Sequence, residues 1–302
     1  MGINCVEIDD NNYPKALKEA LKHLIYSQGP KRLYYKGSWD EDIFKNCLAV
    51  VGSRHLTSYG RKATEQIVTE VAAAGVTIVS GFMYGGDEAA HSAAIKAGGR
   101  TIAVMPCGID RIHPESQKEL YKKILDNNGL VISEYESDLQ PQTFTYVQRD
   151  RIVAGLSKAV LVTEAALGSG SLITAGYATK YGRKIFAIPG QITSELAKGT
   201  TKLIKEGAEA VADASDILKF FKVLVNPKSP SKSRVFCDRK KHGQTPLDSL
   251  EGKILNQLGR EVMSADDLAR LFTVPVAQLG TTLSLMQLKG MVKLENNKYY
   301  LS

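Results

Sequence analysis

Cysteine is scarce and scattered in this chain. Cys5, Cys47, Cys107 and Cys237 form no C-x-x-C pair and have no clustered histidines beside them. A zinc ribbon and a disulfide framework are therefore excluded, leaving reduced thiols that fill packing space. Long apolar runs are also missing. Nothing approaches the roughly 18 consecutive apolar residues of a membrane span, and the opening MGINCVEIDDNN has neither the basic nor the apolar region of a secretory leader. The expectation is a cytoplasmic protein with no membrane partner.

The nucleotide signatures are absent as well. There is no G-x-x-x-x-G-K-[ST], and the single G-x-G, at Gly168 and Gly170, is followed by its next glycine only at Gly176. The first βα turn, where a dinucleotide fingerprint belongs, reads GSRHLTS. His55, His91 and His113 show neither a nucleophile elbow nor metal spacing. No cofactor, no metal and no catalytic residue is expected on these grounds. Glu164, ending an apolar strand beside a glycine loop, is open to three readings: a general base, a helix cap or a ribose contact.

What is present begins with charge. The formal net charge is +7, and it is unevenly placed. Residues 222–246 carry seven Lys and Arg against one Asp in a Pro, Ser and Lys context that builds no core. The flanking segments are close to neutral. This divides the chain into a short helical and extended lead-in over 1–45 that packs on the main domain, the main domain over 46–221, a basic flexible linker over 222–246, and a small unit over 247–302.

From residue 47 the pattern is rhythmic. CLAVVGS, VTIVSG, TIAVMPCG, LVISEY, KAVLVTEA, KIFAIPG and EAVAD alternate with helical stretches. Strands that are apolar throughout and joined by helices indicate a parallel sheet covered on both faces. The fold class expected is α/β, a Rossmann-like doubly wound sheet of six or seven strands. Helix starts are expected at Ser58, Asp87, Pro114 and Ser171, and C′ glycines at Gly75, Gly98, Gly129 and Gly182. The tail, with helices at LDSLEGKILNQL, SADDLARLF and VPVAQLGTTLSLMQLKGM and a hairpin about Asn296-Asn297, has a winged helix-turn-helix pattern.

In an open parallel sheet, ligands bind where strands end and helix N-termini converge. Five of the six strand-end loops contain glycine, and the cations near that edge are Arg54, Arg111, Arg149, Arg151, Lys198 and Lys202. An anion site follows naturally. Asp150, between Arg149 and Arg151, is placed to pair with one arginine and orient the other.

In order along the chain, VVGSR, AAAGVTIVSG, AGGRTIAV, GIDRIHP, RDRIVAGLS, EAALGSGSLITA, GRKIFAIPG and GTTKLIKEGA resemble the DNA-processing protein A family, also called DprA or Smf, over nearly the whole length. The resemblance implies an extended Rossmann domain that binds single-stranded DNA without base specificity. It further implies a role in loading RecA recombinase during natural transformation and recombination, often as a homodimer, with no catalysis. Carried over by position, Arg54, Arg149 and Arg151 would contact phosphates. Ser169, Gly170 and Ser171 would offer hydroxyls and N–H groups, Gly52 and Ser53 would belong to the same site, Ser80 and Gly81 would line its floor, and Lys202 is a further candidate.

Two departures stand out. SGFMYGGD carries Tyr84 where the family has a basic residue, and YVQRDR carries Asp150 where the family has Asn. The expected recognition helix offers Gln278, Thr281, Thr282, Ser284 and Gln287 and is basic only at Lys289, which favours a protein-contact or regulatory role for the tail over duplex reading. The alternative function is a nucleotide-binding or nucleotide phosphoribohydrolase-like enzyme of the lysine-decarboxylase-like Rossmann group, faintly suggested by Tyr84-Gly85-Gly86. Its P-G-G-x-G-T-x-x-E segment has no counterpart, because Pro189-Gly190 continues as QITSEL.

Overall fold

A computed structural model describes residues 4–23, 29–223, 249–259, 261–295 and 298–301. The chain separates into two compact units, residues 1–229 and 230–302. Apart from Lys222 and Val223, the basic segment 222–246 lies outside the described residues, as do Cys237 and the Asn296-Asn297 turn.

The first unit is built on one sheet. Its strands are β1 (Asn4–Glu7), β2 (Arg32–Gly37), β3 (Cys47–Val51), β4 (Thr77–Ser80), β5 (Thr101–Met105), β6 (Leu130–Ser133), β7 (Ala159–Val162), β8 (Lys184–Ala187) and β9 (Glu209–Ala210). The spatial order is β1-β2-β6-β5-β4-β3-β7-β8-β9. From β6 to β9 every pairing is parallel, whereas β1 and β2 add antiparallel at the β6 edge. The seven parallel strands are the apolar runs read from sequence. The two antiparallel strands are new, because the lead-in was read only as helical and extended chain. Cys47 and Cys107 are buried and unbridged.

Residues of β3 alternate between two layers, as a pleated strand requires. Cys47, Ala49 and Val51 face the layer of α1 (Lys15–Leu21), α5 (Thr143–Leu156) and α6 (Ser171–Lys180), while Leu48 and Val50 face α2 (Ser58–Ala73), α3 (Gly86–Lys96) and α8 (Ala214–Phe221). Phe82, Met105 and Val131 form a third cluster with Tyr121 and Ile124 of α4 (Lys118–Asp126). The remaining helix, α7 (Lys198–Lys205), sets Leu203 against the first layer. The order of strands reverses between β3 and β7, because β4 to β6 extend one way and β7 to β9 the other. The C-terminal ends of β3 and β7 thus frame the crevice in which open α/β sheets bind ligands.

Helix ends differ from the sequence expectation where tertiary contacts decide. The N-cap of α2 is Thr57, not Ser58. The chain turns left-handed after α4 at Asn128 (φ 54°), not at Gly129. Gly129 instead packs where a Cβ would collide with the carbonyl of Ile124. Gly75, Gly98 and Gly182 do take positive φ after their helices.

The second unit holds α9 (Leu250–Leu258), α10 (Ala265–Phe272), α11 (Val276–Leu288), β10 (Val292–Glu295) and β11 (Lys298–Leu301), the last two paired antiparallel. Ser264 caps α10 by accepting from the Asp267 N–H at 3.2 Å. The helices α10 and α11 meet at a 118° bend, within the helix-turn-helix range. Ile254, Leu268, Leu279, Leu283 and Met286 form the core. Among the described residues no single helix is long and apolar enough to cross a membrane.

One close approach positions the crevice. A Cβ on Gly86, at the start of α3, would stand 2.8 Å from the Gly52 Cα at the end of β3, and backbone cannot move aside as a side-chain tip can. Gly86→Ala is expected to destabilise the first unit by about 1–3 kcal/mol, the usual cost of overpacking. A urea titration followed by circular dichroism checks this.

Candidate functional site

A cleft of about 380 Å³ opens at the β3/β7 reversal. Gly52, Ser53 and Arg54 enter from the loop after β3, Gly81 and Met83 from the loop after β4, and Asp87 from α3. Tyr146, Arg149 and Asp150 enter from α5, and the Gly168–Ser171 turn leads into α6. Register explains the convergence. Val51 pairs with Val162, so the two strands end level, and Ser53 N–H donates to the Glu164 carbonyl at 2.7 Å.

The first wall depends on Glu164. Its Oε2 accepts from the Thr57 N–H at 2.9 Å and its Oε1 from the Thr57 hydroxyl at 2.7 Å, while Thr57 Oγ1 accepts from the Gly60 N–H at 3.0 Å. A carboxylate buried just past the end of β7 thereby fixes the cap of α2, and the cap fixes the loop that carries Arg54. Of the three readings the sequence left open, the structure places Glu164 in the cap. Glu164→Gln replaces charge-assisted bonds and leaves an amide N–H₂ facing donors. The expected cost is about 1–3 kcal/mol of unfolding free energy, read from thermal melts.

Arg54 is exposed and lies over the Tyr146 ring, 5.3 Å from its centroid. Tyr146 is itself held by His113, whose Nε2 is 2.8 Å from the phenol oxygen. Burial pushes the His113 imidazole below its ordinary value, with Arg54 and Arg111 acting in the same direction. The pair anchors Arg54 without a carboxylate.

Arg149 is different. Its side chain is 6 % exposed, Nη1 donates to the Val104 carbonyl of β5 at 3.2 Å, and Nε stands 3.2 Å from Asp150 Oδ1. A Cβ on Gly81 would occupy the guanidinium's space, which is why glycine must follow β4 there. Asp87 is buried and accepts from the Met83 N–H at 3.1 Å. Burial raises its carboxyl, and the nearby Arg149 charge opposes the rise. Burial likewise pushes Asp150 up to about 6, with Arg149 opposing, Asp87 adding and Arg54 opposing.

The opposite wall is the start of α6. Gly170 occupies the N-cap and supplies no side-chain cap of its own, the Ser171 N–H donating only to Ser169 Oγ at a long 3.4 Å, so the positive end of the helix dipole faces the opening. A Cβ on Gly168 or Gly170 would meet nothing within 4 Å. These glycines answer no packing demand inside the chain. Ser169 Oγ and Ser171 Oγ lie 2.8 Å apart beside them.

A family model described as "DNA recombination-mediator protein A" matches residues 4–222, and one described as "DprA winged helix domain" matches residues 239–295. The chain belongs to the DNA recombination-mediator protein A family. Protein Smf of Escherichia coli is 37% identical over 289 residues, covering 95% of this chain and 74% of that protein. DNA processing protein DprA of Streptococcus pneumoniae is 42% identical over 212 residues, covering 70% and 72%. The X-ray structure of the Streptococcus pneumoniae protein superposes with a TM-score of 0.66 at 41% identity, covering 72% of this chain and 74% of that one. A structure of DNA processing protein A from Helicobacter pylori, described in terms of its single-stranded DNA binding mode, gives a TM-score of 0.64 at 30% identity, covering 74% and 96%.

Not every residue singled out by the DprA resemblance reaches the cleft. Gly52, Ser53, Arg54, Gly81, Arg149, Ser169, Gly170 and Ser171 line it. Ser80 lies beneath, fully buried, with its hydroxyl donating to the Val50 carbonyl at 2.6 Å. Arg151 points to the other side of α5, since two helical residues are separated by about 200°. There Nη2 donates to both oxygens of Glu134 at 2.7 Å. Lys202 sits on α7 with Glu206 at 3.7 Å and does not line the cleft. Tyr84 is exposed, its hydroxyl 2.9 Å from Ser116 Oγ. Sequence reasoning missed Asp87 as a cleft residue and Tyr146 as the support of Arg54. The spacing of Tyr146 three residues before Arg149 on one helix face was the available signal for the second.

His91, fully buried, has its Nδ1 2.6 Å from Thr101 Oγ1 and is pushed down to about 3 by burial. It is a neutral core residue. Among the described residues no cluster of His, Cys, Asp or Glu is arranged to hold a metal.

Removing Arg149 would strand Asp87 and Asp150. Arg149→Ala is expected to cost about 3–5 kcal/mol of stability near neutral pH, the scale for a buried charge left unpaired, measured by denaturant unfolding.

Proposed function

We propose that the cleft binds single-stranded DNA by its backbone, without sequence specificity, and that the protein passes the strand to RecA recombinase. The observation that carries this reading is the pairing of an exposed, aromatic-anchored cation, Arg54, with a helix start whose N-cap residue is glycine and whose glycines leave open space above them. Backbone N–H groups, serine hydroxyls and one guanidinium recognise phosphate whatever base follows. Half-exposed Val147 and Ile173 on the walls give apolar surface for unstacked bases. The single-stranded DNA binding described for the Helicobacter pylori relative supports the same ligand.

The second unit fits a protein partner better than a DNA groove. On α11, Leu285 is 48 % and Leu288 85 % exposed, and Lys289, just beyond the helix, is paired with Glu251 at 3.0 Å. Its face offers no basic patch for a duplex. RecA contact and homodimer formation are part of the proposal on the strength of family membership. The hydrolase reading gains no support, because Glu164 is committed to the α2 cap.

Fluorescence anisotropy with labelled single- and double-stranded oligonucleotides at two salt concentrations tests the site. Arg54→Glu is expected to weaken single-strand binding tenfold or more and to flatten the salt dependence, since each neutralised single-strand phosphate contributes a slope of about 0.7. Gly170→Ala is expected to leave stability within about 0.5 kcal/mol yet weaken binding severalfold, because the added methyl enters the ligand's space. Unimpaired binding by both variants would remove the cleft as the site. Faster RecA filament growth on a strand coated with single-strand-binding protein, seen only when this protein is added, tests the second half.

A further inference from the structure

The cleft described above carries four charged side chains, Arg54, Arg149, Asp87 and Asp150, so its formal charge is zero. That balance is adequate for an empty cleft and poor for one holding a phosphodiester, which brings one further negative charge. Either the ligand pays a repulsion or a carboxylate gives up its charge.

The two carboxylates are not equivalent. Asp87 accepts a hydrogen bond from the Met83 N–H at 3.1 Å and faces Arg149. Asp150 faces Arg149 on its own helix, with Nε at 3.2 Å, Asp87 on α3, and Arg54 on the loop after β3. Its side chain is only 13 % exposed and forms part of the cleft wall. An anion held by Arg54 and the α6 start would sit across from it and screen the Arg54 charge that opposes its protonation.

We propose that Asp150 takes up a proton from solvent when a phosphodiester enters the cleft, so that strand and proton bind together. This rests on the DNA-binding reading given above and adds its regulation. The empty cleft already holds the Asp150 carboxyl up at about 6 through burial, and an adjacent phosphate raises it further. The sign follows from linkage. Below about pH 6 Asp150 is protonated with or without ligand, and affinity is flat. Above that, the bound state holds a proton that the free state lacks, so affinity falls by up to about tenfold per pH unit. It levels again once the carboxyl ionises in the bound state as well. His113 is held below its ordinary value by burial, Arg54 and Arg111, and comparison of wild type with Asp150→Asn separates any proton it takes up from that of Asp150.

The test uses a labelled oligothymidylate, whose bases do not titrate below pH 8.5, with the full-length protein at constant ionic strength from pH 5.5 to 8.5. Wild type is compared with Asp150→Asn, and with Asp150→Ser should the first fail to fold by circular dichroism. Calorimetry in two buffers of different ionisation enthalpy counts protons. The expected result for wild type is uptake approaching one proton near neutral pH and an affinity that drops severalfold between pH 6.5 and 7.5. The Asn variant is expected to take up none, to bind with little pH dependence, and to bind more tightly than wild type at pH 8. Equal pH slopes and equal proton uptake in the two proteins would overturn the inference while leaving DNA binding intact. Absence of binding by both at every pH would overturn the DNA-binding reading and the inference with it.

Discussion

The site hangs on a buried guanidinium. Arg149 runs from α5 beneath the strand ends, reaching the Val104 carbonyl of β5 and requiring that Gly81 after β4 have no side chain. Its charge acts on two carboxylates that come from different elements, Asp87 on α3 and Asp150 on α5. A charge so placed is a strut before it is a ligand. It ties a helix of one layer to strand ends of the sheet, and its neutralisation leaves the exposed Arg54 as the cation most free to meet a ligand. Pre-organised polar groups of this sort cost stability when any one member is removed.

Around that strut, the two walls are set by opposite means. The Arg54 wall is heavily tied down: Glu164 holds Thr57, Thr57 holds the first turn of α2, and Tyr146 with His113 holds Arg54 from below. The α6 wall is held more lightly, with glycine at the N-cap position and only the Ser169 hydroxyl at the helix end, accepting from the Ser171 N–H at 3.4 Å. Tied down on one side and lined by glycine and serine on the other, the cleft has the open form that the proposed strand-backbone ligand requires.

Much of this was legible in the residues. Apolar strands joined by helices gave the parallel sheet, and glycine-bearing loops at strand ends pointed to Arg54 and the Ser169–Ser171 turn. What escaped was whatever long-range geometry decides. Thr57 took the cap because a glutamate 107 positions away reaches it, a fact no local pattern contains. The strands β1 and β2 exist because an edge of β6 was available to pair, and short strands take their identity from partners more than from propensity. Arg151 was grouped with Arg149 by motif, yet helical periodicity turns it to Glu134 on the far side of α5. Asp87 reads as a first-turn helix residue and becomes a cleft residue only when α3 starts against Gly52.

On the proposed reading, a strand's backbone runs between Arg54 and the start of α6. A crystal structure with a short oligothymidylate tests it most directly. The expected result is a phosphate within hydrogen-bond reach of the Gly170 and Ser171 backbone and the Arg54 guanidinium, with Arg149 still beside Asp150. A strand lying on α11 or along the β1 edge, with the cleft empty, would contradict it.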